Sequence, residues 1–115
     1  MVAVSAIAKA IMDTLQFHFS TSVFKNTGSW FNPTLSWGNK YNWSKNKVIT
    51  WLLSNPLVAL TDAWHFFGLI QRACLFGCLL MFTLFPLPHN WWWFVLVLYA
   101  EFAIVFHIFF TWVFD

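Results

Sequence analysis

Residues 91–114 read WWWFVLVLYAEFAIVFHIFFTWVF, and this stretch decides the fold. A helix over that run is about 36 Å long at 1.5 Å per residue. That length crosses a hydrocarbon core of about 30 Å with some tilt to spare. Three tryptophans open the run and Trp112 nearly closes it, which is the arrangement of aromatic belts at the two membrane–water interfaces. Glu101 and His107 interrupt an otherwise apolar surface. The run predicts a membrane-spanning helix.

Working backwards, Pro86-Leu87-Pro88-His89-Asn90 is a stop and a tight turn. From Pro56 to Phe85 the sequence contains no breaker. Ser54 or Asn55 suits an N-cap, with Pro56 at the first helical position. The expectation is therefore a second helix of about 45 Å running antiparallel to the first. Its later part, ACLFGCLLMFTLF, is apolar apart from Thr83, whereas its earlier part carries Asp62, His65, Gln71 and Arg72. The segment VITWLLSN at 48–55 is too short to cross. Were Pro56 to break the helix instead of starting it, residues 48–60 would form a short membrane-dipping segment.

The composition agrees with lipid as solvent. The chain is 60% hydrophobic and 9% charged, against roughly half and a quarter in ordinary soluble domains. So few charges cannot furnish the polar surface of a soluble domain. Nine tryptophans and fifteen phenylalanines suit a headgroup region. A net charge of +2 gives no footing for nucleic acid. The placement of charge says more: Lys25, Lys40, Lys45 and Lys47 precede the hairpin, while the turn near residue 88 has no Lys or Arg. The positive-inside rule then puts both termini in the cytoplasm of a multi-pass cell-membrane protein, with Asp115 returning inside. The opening MVAVSAIAKAIMD lacks a charged n-region, and Lys9 and Asp13 interrupt it, so no cleavable signal is expected. Cys74 and Cys78, four apart, read as small packing residues.

Three regions follow: an amphipathic segment over 1–24, a Trp/Asn/Lys-rich loop over 25–55, and a hairpin over 56–115. In the first, a helix over 3–20 places Val4, Ile7, Ala8, Ile11, Met12 and Leu15 on one face. Ser5, Lys9, Asp13, Gln16 and Ser20 take the other, so the helix is expected in the membrane interface or packed on the hairpin. In the second, Gly28, Pro33, Gly38 and several asparagines predict turns. Trp30, Phe31, Trp37, Asn39, Lys40, Tyr41 and Trp43 suit an interfacial loop with rings toward lipid and lysines toward water. Asn42-Trp43-Ser44 fits a glycosylation acceptor, which conflicts with a cytoplasmic loop.

Ionisable residues within the spans carry the functional argument. Arg72 lies about 20 Å and Glu101 about 15 Å below the turn, counting helical rise. The two are expected to pair, within the hairpin or between copies. Asp62, His65 and Arg72 share about an 80° arc, whereas Glu101 and His107 point about 120° apart. Asp62 and His65 at i,i+3 resemble half of a helical metal site, and His18 and His107 complete the set of candidate metal ligands. Asp62 equally serves as the partner that orients His65. Small residues at Ala73 and Gly77 permit close packing.

The favoured reading is an all-α membrane subunit or assembly module without assigned enzymatic activity, embedded in the bilayer and either homo-oligomeric or joined to another membrane protein. The alternatives are a metal-dependent or hydrolytic enzyme using Asp62 and His65, and an oligomeric holin-like pore or proton path using Glu101. No cofactor is specified by the residues.

Phe31-Asn32-Pro33, Ser36-Trp37-Gly38-Asn39-Lys40-Tyr41 and Thr61-Asp62-Ala63-Trp64-His65 resemble segments of small uncharacterised bacterial or phage membrane proteins. Those have similar S-W-x-N-K-Y and T-D-x-W-H segments ahead of apolar helices. The resemblance covers the middle third of the chain and implies no known activity. It implies that Asn39-Lys40-Tyr41 and Asp62/His65 belong to one polar site at the cytoplasmic interface.

Overall fold

The N-terminal helix α1 (Val2–Phe17) buries residues on two sides. On a helical wheel Ala8, Ile11, Met12 and Leu15 form one sector. Ala6, Ala10 and Thr14 form another, roughly opposite. Lys9 and Asp13 pair i,i+4 in the polar strip left between them. Alanine has almost no side chain to hold a neighbour away, so α1 accepts a helix on each side.

Those neighbours are α5 (Ala63–Leu84) and α6 (Trp91–Ile108), both of which α1 contacts. The structure is a computed structural model that describes residues 1–42, 45–87 and 89–114, without the side chains of Lys40 and Asn42. All regular structure among them is helical. Along α5, α1 runs antiparallel. A Cβ on Gly77 would meet Met1 Sδ at 3.0 Å, one on Gly68 would meet Met12 Cε at 3.3 Å, and Ala63 joins Ile11 and Leu15 in the core. The order α5–α1–α6 makes a slab whose Cα extents are 56 × 35 × 14 Å, one helix layer thick.

The hairpin is therefore forked. Near the turn, Phe82 of α5 and Phe94 of α6 meet edge to face at 5.8 Å. Farther down α1 separates the two helices. Of the two placements expected for this helix, packing on the hairpin is the one observed, and it falls between the two hairpin helices. Ser5, assigned above to the polar face, is fully buried, because a helix with two neighbours has no single solvent side.

Residues Phe109–Phe114 continue α6 as a π-helical turn. Ala63–Leu84 and Trp91–Phe114 are both long and apolar enough to cross a membrane, and 6% and 0% of them is buried inside the chain. A soluble protein's core helix is mostly covered; along these two the side chains are exposed or half-buried almost throughout.

The first of these two long apolar helices begins at Ala63, not Pro56. Helix α4 (Lys47–Ser54) ends before Pro56 and a 3-10 turn follows at Val58–Leu60. Proline lacks an N–H and disfavours helix at the residue before it, so Asn55 leaves the helical region at φ −124°, ψ −93°. The alternative in which Pro56 is a breaker is the one observed. Two short helices, α2 (Pro33–Ser36) and α3 (Asn39–Asn42), interrupt the preceding loop. Trp43, Ser44, Pro88 and Asp115 lie outside the described residues. So do the glycosylation tripeptide beyond Asn42, the turn apex and the carboxyl-terminal residue.

Candidate functional site

The start of α5 is written in Thr61-Asp62-Ala63-Trp64-His65. Asp62 has extended backbone (φ −157°, ψ 161°), and its Oδ1 accepts the His65 backbone N–H at 2.9 Å. This is an N-cap, which satisfies a donor that the helix itself cannot. The same three-residue offset carries the imidazole over the cap, where His65 Nδ1 lies 2.7 Å from Asp62 Oδ2. The Thr61 hydroxyl donates to Val58 O at 2.7 Å, with Asp62 Oδ2 at 3.2 Å as a second acceptor. Asp62 is only 4% exposed, so these partners replace its water.

The loop over 25–46 is latched onto this cap. The Trp30 carbonyl accepts from Ala63 N–H at 3.0 Å, Trp30 Nε1–H donates to Leu60 O at 3.4 Å, and Asn39 Nδ2 donates to Thr61 O at 2.9 Å. Aromatic packing adds to the latch. Phe24 stacks on Phe31 at 5.4 Å and touches Phe114 at 5.2 Å, while Trp30 meets Phe66 at 5.5 Å. These rings pack around Ile11, Leu15 and Ala63. Trp30 and Phe31, expected to direct their rings toward lipid, have part of their apolar area covered by the chain itself. Trp37 and Tyr41 remain exposed.

Between latch and cap lies a cavity of about 440 Å³, lined by Leu15, Gln16, Phe31, Pro33, Ser36, Trp37, Asp62, Trp64 and His65. Three chain segments build it: the end of α1, the α2 region and the start of α5. Asn32 caps α2 by accepting from Thr34 N–H and Leu35 N–H, and the single turn that follows sets Ser36 and Trp37 at the cavity wall. The carboxylate accepts from His65 Nδ1–H, which leaves Nε2 as the ring nitrogen not engaged by Asp62. An imidazole fixed in this way by a buried carboxylate is able to take a proton from a bound group.

The other sequence candidates are dispersed. His18 packs edge-on against Phe110 at 5.1 Å, and His107 Nδ1 lies 3.4 Å from Thr111 Oγ1 one turn on. No group of three His, Cys, Asp or Glu side chains converges among the described residues; of the four candidate ligands, Asp62 and His65 are brought together. Arg72 and Glu101 do not pair within the chain. Both are exposed, and the salt bridges among the described residues are Lys9–Asp13 and Asp62–His65. The interposed α1 holds their helices apart, and Arg72 points half a turn away from Ala63. Glu101 borders a second cavity of about 310 Å³ in the fork, with Met1, Val2 and Cys78. Of the interfacial-loop residues, Trp37 lines the Asp62 cavity and Asn39 bonds the cap; the Lys40 side chain lies outside the description.

Sequence reasoning missed Gln16, Phe31, Pro33 and Ser36 as cavity residues. Asn32-Pro33 signals a local turn, but nothing local says that this turn faces Asp62. No protein-family model, curated protein or solved structure matches the chain.

Proposed function

We propose that the chain is a two-span membrane protein that acts as an assembly module, self-associating through its charged span residues. One observation carries this reading: Arg72 and Glu101 are both exposed on span helices and unpaired with each other in the single chain. A charged side chain near the bilayer centre costs at least about 2.5 kcal/mol, and such residues face protein or water rather than lipid. Counting from the turn-side helix ends, Arg72 is about 18 Å deep and Glu101 about 15 Å. The two depths match well enough for Arg72 of one copy to meet Glu101 of another.

The test uses the full chain in lipid nanodiscs, with oligomeric state read by crosslinking and mass. Arg72→Glu and Glu101→Arg each reduce the oligomer, and the double exchange restores it. A wild type that stays monomeric at every protein-to-lipid ratio refutes the reading, as does a double exchange that restores nothing. Orientation follows the lysines, with the Lys-rich loop in the cytoplasm. A cysteine placed at His89 is then labelled from outside the cell, and labelling only from the cytoplasm reverses the topology.

A second reading rests on the 2.7 Å Asp62–His65 bond and on Ser36 lining the same cavity. Here His65 acts as general base toward a hydroxyl nucleophile, with Ser36 the nearest candidate in kind. Covalent labelling of Ser36 by a fluorophosphonate, lost in His65→Ala, supports hydrolysis. Unlabelled Ser36 in the folded wild type removes it.

A further inference from the structure

The geometry points to the cavity at the start of α5 as a binding site for an alkylammonium group, carried by a lipid headgroup or a free amine. Its volume, about 440 Å³, is within the range of small-ligand sites. Its walls combine the aromatic rings of Phe31, Trp37 and Trp64 with the Asp62–His65 pair. Aromatic rings beside a carboxylate are the surroundings that attract organic cations.

The sign of the ligand charge follows from what the cavity lacks and what is already engaged. Among the described side chains, no Lys or Arg lines it. The N-terminus of α5 would ordinarily favour an anion, but three of its first four N–H groups are already bonded within the chain. Ala63 N–H bonds Trp30 O, His65 N–H bonds Asp62 Oδ1, and Phe66 N–H bonds Asp62 O. The Asp62 carboxylate itself takes the anion's place at the helix end. With Nδ1 engaged by Asp62, Nε2 is the ring nitrogen left over, and the Asp62 carboxylate is the one acidic group among the described lining side chains. An acceptor with that charge fits a primary ammonium, which donates a hydrogen bond as well as supplying charge. A phosphate or carboxylate would meet a buried carboxylate with no Lys or Arg beside it among the described side chains.

Position favours a lipid source. The site sits where the apolar run of α5 begins, the level at which a spanning helix leaves the headgroups. Exposed Trp37 forms part of its rim.

The experiment measures lipid retention by native mass spectrometry on the full chain. The protein is extracted from nanodiscs containing equal phosphatidylethanolamine and phosphatidylglycerol. Phosphatidylethanolamine is expected to be retained over phosphatidylglycerol by about tenfold, the scale of one desolvated cation–aromatic contact. Asp62→Asn keeps an acceptor for the helix cap but removes the charge, and abolishes the preference. Trp37→Ala alters an exposed ring away from the helix cap and weakens the preference several-fold. Displacement by millimolar ethanolamine identifies the amine alone as sufficient; retention despite ethanolamine identifies the lipid as the ligand. Equal or greater retention of phosphatidylglycerol overturns the inference. So does an unchanged preference in both variants. None of these outcomes depends on the oligomeric state, so failure here leaves the assembly reading to its own test.

Discussion

Replacing Asp62 by alanine tests whether the start of α5 depends on one side chain. The Asp62 carboxylate accepts from His65 N–H at 2.9 Å and His65 Nδ1–H at 2.7 Å, and is 4% exposed. An N-cap bond contributes about 1 kcal/mol. A hydrogen bond to a charged group contributes about 1.5–3 kcal/mol, and its loss leaves the imidazole N–H without a partner. Against these stands the relief of a carboxylate that no longer has to be kept out of water. The balance is a loss of about 2–3 kcal/mol for Asp62→Ala. Asparagine retains an acceptor for the cap, so Asp62→Asn loses about 1 kcal/mol. Reversible denaturant unfolding in micelles reads the difference. Amide exchange at His65 and Phe66 locates it, with exchange faster in the alanine variant and exchange at mid-α5 unchanged. An alanine variant within about 0.5 kcal/mol of wild type refutes the cap's importance. An asparagine variant as damaged as alanine refutes the separation of capping from charge.

Gly68 faces Met12 so closely that its missing side chain sets the α1–α5 distance. Gly68→Leu therefore forces the helices apart and lowers stability by about 1–3 kcal/mol, whereas Gly68→Ala displaces only the flexible end of Met12 and is nearly neutral; equal effects in unfolding refute close packing here. The hydroxyls of Ser5 and Thr14 are buried without hydrogen-bond partners. Ser5→Ala and Thr14→Val are thus expected to raise stability by about 1 kcal/mol each, and a loss of stability in both shows that the hydroxyls have partners in the membrane-bound protein. Trp30→Ala removes the ring contacts to Phe31 and Phe66 and the bond to Leu60 O. Limited proteolysis within residues 25–46 then accelerates while cleavage within α5 and α6 does not, and unchanged loop cleavage excludes Trp30 as the latch.

The sequence alone determined the features that depend on composition and on residues near one another in the chain. A run of membrane length that is apolar apart from a few residues such as Glu101 and His107 makes a long apolar helix wherever it docks, so 91–114 was legible directly. The Asp62–His65 pair was legible too, because three residues along a helix return to the same side. The end of α4 before Pro56 is equally local, but it stood as an alternative because proline both starts and stops helices. The stronger cap six residues later decided the matter. Tertiary structure alone placed α1. Its alanines permit burial on either side, and a one-faced periodicity cannot reveal a second neighbour. Once α1 lies between α5 and α6, Arg72 and Glu101 are too far apart to pair within the chain, and that distance is what makes a partner copy necessary to the proposed assembly. The cavity is likewise nonlocal. Gln16, Ser36 and His65 come from segments separated by some twenty to thirty residues. They are joined by the Trp30 and Asn39 bonds to the α5 cap, contacts whose partners no local pattern specifies.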